Sequence, residues 1–202
     1  MNIAIIGAGN VAWHLTRALS TRHRIVQVFS RSLDNAQALA EAVQCPAATD
    51  NIGSIVSDAD AYIIMVKDDA IAEVAAQLAH INDSAIWMHT SGSCGCNALS
   101  NTATSYGVLY PLQTFSRNAT IDTSEIPLFV EANTVDALAA SPKLPDAYQA
   151  TSTLPTATLA GSCTSPPCLP ATLPTAYGAL PTTSSHSRAC RSASSCHCLR
   201  LR

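Results

Sequence analysis

A glycine-rich turn near the amino terminus constrains the fold of this chain more than any other feature. Residues 7–12 read GAGNVA and fit the pattern G-x-G-x-x-G/A. They follow a short apolar run at residues 3–6, which is typical of a buried strand, and they open Asn10–Ser20, whose apolar residues lie along one helical face. A strand, a tight turn and a helix in this order predict the start of a parallel sheet.

Strand and helix patterns alternate as far as about residue 135. Further strands are predicted at residues 25–29, 61–66, 85–89, 106–110 and 127–131, and further helices at residues 34–43 and 69–80. Asp68 or Asp69 is placed to cap the first turn of the last helix. Because alternating strands and helices are typical of a parallel sheet covered on both faces, residues 1–135 are predicted to form an α/β, Rossmann-type doubly wound domain with a mainly parallel sheet.

The binding of a dinucleotide at this turn would explain why three of its residues are small. Gly7 permits the tight turn, Gly9 lets a pyrophosphate approach the backbone, and Ala12 lets the helix pack closely on the sheet. At the helix start, Asn10 and Val11 offer backbone N–H groups to the phosphates. We therefore predict a dinucleotide site; the alternative is an ordinary glycine turn.

The end of the second predicted strand favours NADP(H) over NAD(H). Many NAD-binding domains place a carboxylate there, about twenty residues past the glycines, on the ribose hydroxyls. This chain has Ser30, Arg31 and Ser32 instead. Arg31 can pair with a 2′-phosphate, and the two serines can donate hydrogen bonds to it. The alternative interpretation makes Arg31 a solvated loop charge.

Polar residues after later strands are candidates for the substrate side of the site. Since the carboxyl ends of parallel strands face the ligand crevice, Val66 and Lys67 are expected to border the nicotinamide. His89 and Ser91, within HTSGS, and Tyr110, within YPLQT, are candidates to hold a substrate or to move a proton. The alternatives are a polar turn around a satisfied histidine and a simple strand end at the tyrosine.

Charge and cysteine content exclude several other classes of function. The net charge is −3, so there is no basic excess for a nucleic-acid backbone. The first residues lack a basic segment and a long apolar run, so we expect a cytoplasmic protein without a membrane span. The eight cysteines are then not a disulfide framework. Cys94 and Cys96 have no further ligand pair at zinc spacing, and no metal site is predicted.

The composition changes abruptly near residue 140. Eight of the 11 prolines lie from Pro142 onward, between runs of Thr, Ser, Ala and Cys. One interpretation is a genuine Pro/Ser/Thr-rich, irregular tail over residues 136–202, in which residues 196–198 (CHC) would resemble a metal cluster. The other is a change of reading frame between about residues 134 and 145, after which the encoded residues carry no meaning.

A shifted frame would restore apolar helical segments in this tail. When the last base of each codon is read with the first two of the next, residues 163–175 permit HLAAVFACNFAN and residues 188–198 permit GLPFSLLLPL. Both strings have the composition of buried helices. We therefore interpret residues 136–202 as an out-of-frame tail that replaces a helical domain.

Several motifs together resemble a family of Rossmann-like oxidoreductases with a helical C-terminal domain. They are GAGNVA, FSRS, HTSGS, YPLQTFS and PLFVEA, and they cover residues 1–135. The family is similar to deazaflavin-dependent NADP oxidoreductases, pyrroline carboxylate reductases and 6-phosphogluconate dehydrogenase-like proteins. The resemblance implies a cofactor between two domains and a homodimer formed through the helical one. It also implies cofactor contacts at Gly7, Gly9 and Ala12, and substrate-side roles for His89, Ser91 and Tyr110.

The function predicted from these features is hydride transfer between NADP(H) and a small carbonyl, imine or hydroxy substrate, with NAD(H) as the less favoured cofactor. Two alternatives stay open. One is a dinucleotide-binding regulator without turnover. The other is an inactive, truncated product, because a crevice that lacks the helical domain would have one wall.

Overall fold

One mainly parallel sheet organises the computed structural model, which describes residues 1–119, 121–122, 126–144 and 149–153. Its eight strands are β1 (Asn2–Ile6), β2 (Arg24–Phe29), β3 (Ala48–Thr49), β4 (Ala61–Ile64), β5 (Ile86–His89), β6 (Ser105–Pro111), β7 (Leu128–Ala132) and β8 (Gln149–Thr153). They lie in the order β3-β2-β1-β4-β5-β6-β7-β8. β6 and β7 are antiparallel, and the other neighbouring pairs of the described sheet are parallel. The predicted doubly wound α/β fold is confirmed.

Four α-helices accompany the sheet in the described part of the chain. They are α1 (Asn10–Ser20), α2 (Leu33–Ala42), α3 (Ile71–Gln77) and α4 (Val135–Ala140). Short 3-10 turns lie at Ile52–Ser54, Asp68–Ala70 and Cys96–Leu99. α1 has the predicted bounds, whereas α3 is shorter than the predicted helix, because a 3-10 turn precedes it and the chain adopts a positive φ of 63° at His80. No helix among the described residues combines the length and apolar character that crossing a membrane requires.

The side chains of β1 alternate between two apolar layers, one on each face of the sheet. Ile3 and Ile5 pack with buried residues of α1 and α2, whereas Ala4 and Ile6 pack with buried residues of α3. Full burial of an aliphatic side chain contributes about 1.5–3 kcal/mol, so this double burial fixes the register of the central strand. The loops that follow the parallel strands then meet at one edge of the sheet.

Regular structure continues past the domain boundary predicted at residue 135, in α4 and β8. In α4, Ala137 is buried, and the Thr134 hydroxyl caps the helix by accepting a hydrogen bond from the Ala137 amide at 3.1 Å. β8 extends the sheet beside β7. Residues 154–202, which include the CHC segment and both shifted-frame strings, lie outside the described residues.

Candidate functional site

The glycine turn joins β1 to α1 at the carboxyl edge of the sheet. Gly7 has φ +120°, and a Cβ there would lie 2.2 Å from the Met65 carbonyl oxygen. Its amide donates a hydrogen bond to the Phe29 carbonyl at 2.8 Å. Because an L side chain rarely adopts this φ and has no room here, the turn requires glycine at this position.

Gly9, by contrast, opens onto empty space. A Cβ at Gly9 would meet no atom within 4 Å. Gly9 is the N-cap of α1 but has no side chain to accept hydrogen bonds from the first amides, and the first turn contains no acidic residue. Open space in front of uncapped amides at the positive end of a helix dipole is the environment that binds a pyrophosphate, so the turn fits a dinucleotide.

A polar turn follows β2 and begins α2. The Ser32 amide lies 3.3 Å from the Ser30 hydroxyl, and the Ser32 hydroxyl caps α2 by accepting from the Asn35 amide at 3.4 Å. Arg31 is exposed, and in the described part of the chain its guanidinium has no hydrogen-bond or ion-pair partner. The side chain is therefore available to an anion in the crevice.

The loop after β6 crosses the amino-terminal half of α1. Asn10 Nδ2 donates a hydrogen bond to the Phe115 carbonyl at 3.3 Å. His14 Nε2 lies 2.9 Å from the Ser116 carbonyl, and the His14 and Phe115 rings are stacked with centroids 5.5 Å apart. These contacts hold the loop against the helix whose first turn bears the glycine motif.

Arg117 follows directly in this loop and extends toward α2. Its guanidinium carbon lies 4.7 Å from the centroid of the Trp13 ring, a distance typical of a cation–π contact. Its Nη1 donates a hydrogen bond to Asn35 Oδ1 at 3.0 Å. Arg117 was not predicted as a site residue, because nothing in the local sequence pattern indicates a contact between residues 82 positions apart.

The loops after β4 and β5 are joined by a short hydrogen bond. The Ser93 hydroxyl donates to the Asp68 carboxylate at 2.5 Å. The prediction that Asp68 or Asp69 caps the helix was wrong: the 3-10 turn and α3 both begin without a side-chain cap, because Asp68 turns toward the neighbouring loop. Val66 borders the glycine turn, its Cγ1 lying 3.3 Å from where a Cβ at Gly7 would be.

Lys67 is exposed at the start of the 3-10 turn between β4 and α3. It therefore lies on the loop that follows Val66. The two residues predicted to border the nicotinamide are thus on the same edge of the sheet as the glycine turn.

His89 is fully buried at the end of β5, and backbone groups occupy both of its ring nitrogens. Nδ1 accepts a hydrogen bond from the Ser91 amide at 3.2 Å, so Nδ1 carries no proton. Nε2 lies 3.3 Å from the Gly95 carbonyl, which can only accept. Desolvation by burial lowers the pKa of His89 below the ordinary value of 6.5. The ring is therefore neutral and supports the loop that follows β5.

The Ser91 hydroxyl is also fully engaged within this loop. Its oxygen accepts from the Ser93 amide at 3.2 Å and from the Cys94 amide at 3.1 Å. It lies 3.1 Å from the Ser93 hydroxyl. Since Ser93 gives its own proton to Asp68, the Ser91 proton points to Ser93.

Tyr110 has a different environment from the other two predicted substrate-side residues. Its ring packs against the backbone of Gly92, where a Cβ would lie 2.6 Å from the ring. Its hydroxyl has no hydrogen-bond partner among the residues that the structure describes. The structure thus brings His89, Ser91 and Tyr110 together around one loop, and leaves the tyrosine hydroxyl as the available polar group.

Cys96 lies behind the same loop and contacts β7. Its Sγ is 3.8 Å from Glu131 Oε1. Burial, followed by the repulsion from the Glu131 carboxylate, raises the pKa of Cys96 to about 12. Among the described residues, no three His, Cys, Asp or Glu side chains are grouped closely enough to hold a metal ion.

A parallel sheet with a glycine turn between its first strand and first helix defines a Rossmann-type nucleotide-binding domain. Residues 2–87 match the family model described as NADP oxidoreductase, coenzyme F420-dependent. This part of the chain is therefore a Rossmann domain similar to that of the NADP oxidoreductase family, which confirms the resemblance found in the sequence.

Solved structures share the same architecture. A candidate NADP oxidoreductase from Bacteroides fragilis is 36% identical with a TM-score of 0.67, and the match covers 74% of this chain and 60% of that one. A protein from Thermotoga maritima (21% identity, TM-score 0.56) and the 1-pyrroline-5-carboxylate reductase of Streptococcus pyogenes (19%, 0.58) share the fold over 75% of this chain and 57% of theirs. No curated protein matches the sequence significantly. The chain therefore spans at most 60% of the length of these three structures.

Proposed function

We propose that this chain is the NADP(H)-binding part of an oxidoreductase that transfers a hydride to or from a small carbonyl, imine or hydroxy compound. The observation that carries the proposal is the open space at Gly9, in front of the uncapped first turn of α1. The cofactor supplies the hydride, and the residues of this chain bind and orient it. The family description of residues 2–87 agrees with this class of reaction.

The preference for NADP(H) rests on the turn after β2. Ser30, Arg31 and Ser32 offer hydroxyl donors and a cation where an NAD-specific domain offers a carboxylate. The guanidinium of Arg31 is exposed and has no carboxylate partner in the described part of the chain, so its charge is available to a 2′-phosphate.

Hydride transfer to a carbonyl or imine also requires a proton donor. Of the three substrate-side candidates, Tyr110 has a hydroxyl that nothing in the described residues engages. Proton transfer from His89 would break one of its two backbone hydrogen bonds. We therefore propose that Tyr110 contacts the substrate, and that His89 and Ser91 position the loop beside it.

The cofactor preference can be tested by titrating the protein with NADPH and NADH. We expect wild type to bind NADPH at least about tenfold more tightly, and Arg31→Ala to abolish most of that difference without weakening NADH. Arg22→Ala is the matched control, because Arg22 is exposed just past the carboxyl end of α1, away from the glycine turn. Equal affinity of wild type for both cofactors would contradict the NADP(H) assignment.

We further propose that the active, homodimeric enzyme contains a helical domain encoded in a shifted frame. The apolar strings permitted by residues 163–175 and 188–198 support this. Sequencing the gene across codons 134–150 should reveal an inserted or deleted base. A confirmed frame would contradict the proposal that a helical domain is encoded in a shifted frame.

Turnover should be assayed with NADPH on a panel of small carbonyl and imine compounds, in the two-domain protein if the frame is corrected. Tyr110→Phe is expected to lower kcat by about 10²-fold or more with an unchanged NADPH Kd. Binding that persists without turnover on any compound would favour the dinucleotide-binding regulator instead.

A further inference from the structure

A second arginine lies beside the turn after β2, supplied by a distant part of the chain. We propose that Arg117 is a specificity-determining residue that binds the 2′-phosphate of NADP(H) together with Arg31. The inference rests on the proposed function, because it names a further residue of the same cofactor site.

Hydrogen bonds connect Arg117 to the turn without interruption. Ser30 and Ser32 are linked by a contact of 3.3 Å, and the Ser32 hydroxyl holds the Asn35 amide at 3.4 Å. The Asn35 side chain in turn accepts from Arg117 Nη1 at 3.0 Å. The guanidinium is thus fixed at the first turn of α2, next to the residues that offer donors to the phosphate.

The partners that Arg117 has among the described residues orient its guanidinium but do not neutralise it. Trp13 contacts the group at 4.7 Å from the ring centroid, and Asn35 accepts a single hydrogen bond through a neutral amide. In the described part of the chain no carboxylate lies within ion-pairing distance of Arg117. A guanidinium has several N–H donors in a planar fork, so the remaining donors and the full charge are available to a phosphate.

The backbone before Arg117 is anchored to the helix that the pyrophosphate would face. The Phe115 carbonyl accepts from Asn10, and the Ser116 carbonyl lies 2.9 Å from His14 Nε2. Two successive carbonyls are therefore held by α1 immediately before Arg117. This anchoring limits the entropy lost when the arginine engages an anion, since its backbone is already ordered.

A cation at this position acts on the 2′-phosphate and not on the rest of the cofactor. NADPH and NADH differ by that phosphate alone, and so do 2′,5′-ADP and 5′-AMP. An arginine that only supports the loop would affect both members of each pair equally. The difference in affinity within a pair is therefore the quantity that reports on the inference.

The test measures the Kd of NADPH, NADH, 2′,5′-ADP and 5′-AMP for wild type and for two variants of Arg117. Arg117→Gln removes the charge but keeps an N–H donor for Asn35 and a planar group over Trp13; Arg117→Lys keeps the charge but loses the fork. We expect Arg117→Gln to weaken NADPH and 2′,5′-ADP by about tenfold and to leave NADH and 5′-AMP unchanged. Arg117→Lys should have a smaller effect, and the salt dependence of NADPH binding should decrease in Arg117→Gln.

Arg17→Ala is the matched control, because Arg17 also contacts the Trp13 ring, at 5.9 Å, but lies in the last turn of α1. It should bind all four ligands as wild type does. If Arg117→Gln binds NADPH normally while Arg31→Ala does not, the inference fails and the proposed function stands. If Arg117→Gln weakens the binding of NADPH and NADH equally, Arg117 only supports the loop, and the inference is also overturned. If wild type binds none of the four ligands, the proposed function fails as well.

Discussion

Gly7 and Gly9 belong to one motif but satisfy different physical requirements. Gly7 is needed because its φ is +120° and its Cα faces the Met65 carbonyl at close range. Gly9 has an ordinary φ of −82° and free space around it, so the domain itself does not require a glycine there. The first glycine serves the fold, and the second keeps open the space in which we propose that the pyrophosphate binds.

Alanine substitutions separate these two roles. We expect Gly7→Ala to lower the free energy of unfolding by more than about 2 kcal/mol, because the methyl group would meet the Met65 carbonyl in a strained backbone conformation. Gly9→Ala should change stability by less than about 1 kcal/mol and should weaken NADPH binding. Urea unfolding and NADPH titration measure the two effects. A Gly9→Ala variant with wild-type affinity would show that the pyrophosphate does not approach this turn.

His89 gives the domain a specific dependence on pH. Because burial lowers its folded pKa below 6.5, the unfolded chain takes up a proton at a pH at which the folded protein does not. Above the pKa of the unfolded chain, His89 is uncharged in both states and does not change the free energy of unfolding. As the pH falls from about 6.5 toward the lower pKa of the folded state, the unfolded chain takes up the proton and stability is lost.

The His89→Gln variant tests this assignment, since an amide can still donate to the Gly95 carbonyl but cannot titrate. Unfolding free energies measured between pH 8 and pH 5 should fall less steeply for the variant than for wild type. Parallel curves for the two proteins would show that His89 is protonated equally in the folded and unfolded states.

At the scale of elements, β7 leaves no room for a side chain at Gly107 of β6. A Cβ at Gly107 would lie 2.2 Å from the Glu131 carbonyl oxygen and 3.2 Å from the Ala132 Cα. The antiparallel pair therefore depends on the absence of a side chain at one position. This pair also carries Tyr110 on one strand and, on the other, the carboxylate that faces Cys96.

We expect Gly107→Ala to separate the two strands and to destabilise the domain by more than about 2 kcal/mol. Amide hydrogen exchange should accelerate first in Leu128–Ala132. Gly53→Ala is the control, because the nearest contact of a Cβ there is an ordinary 3.4 Å. Unchanged exchange in β7 of the Gly107 variant would show that the strand can shift at little cost.

Elements with strong local signals were predicted from the sequence, and elements set by distant contacts were not. β1, the glycine turn and α1 have their own apolar period and turn residues, which is why their positions were found. β3 has two residues, which are too few to show a period. β8 joins the described sheet by pairing with β7, from which α4 separates it in the chain. The antiparallel direction of β7 is likewise not encoded in its alternation.

At the scale of the whole molecule, one part of the candidate site could be predicted from the sequence and another part depends on distant contacts. Gly7, Gly9 and the turn at residues 30–32 follow from one continuous βαβ segment and were predicted as a unit. Arg117 reaches the site from a loop after the sixth strand, so its place depends on the closure of the whole sheet. The bonding of His89 depends on the Gly95 carbonyl, and no local pattern distinguishes a buried support from an exposed acid.

The placement of the two tryptophans gives the protein a built-in optical reporter. Trp87 is fully buried and stacked on Tyr62 with ring centroids 4.2 Å apart, so its emission is shielded from collisional quenchers. Trp13 is partly exposed under the Arg117 guanidinium. Collisional quenching by acrylamide will therefore act mainly on Trp13. In a Trp87→Phe background, a single fluorophore follows the loop that carries Arg117 as the site fills.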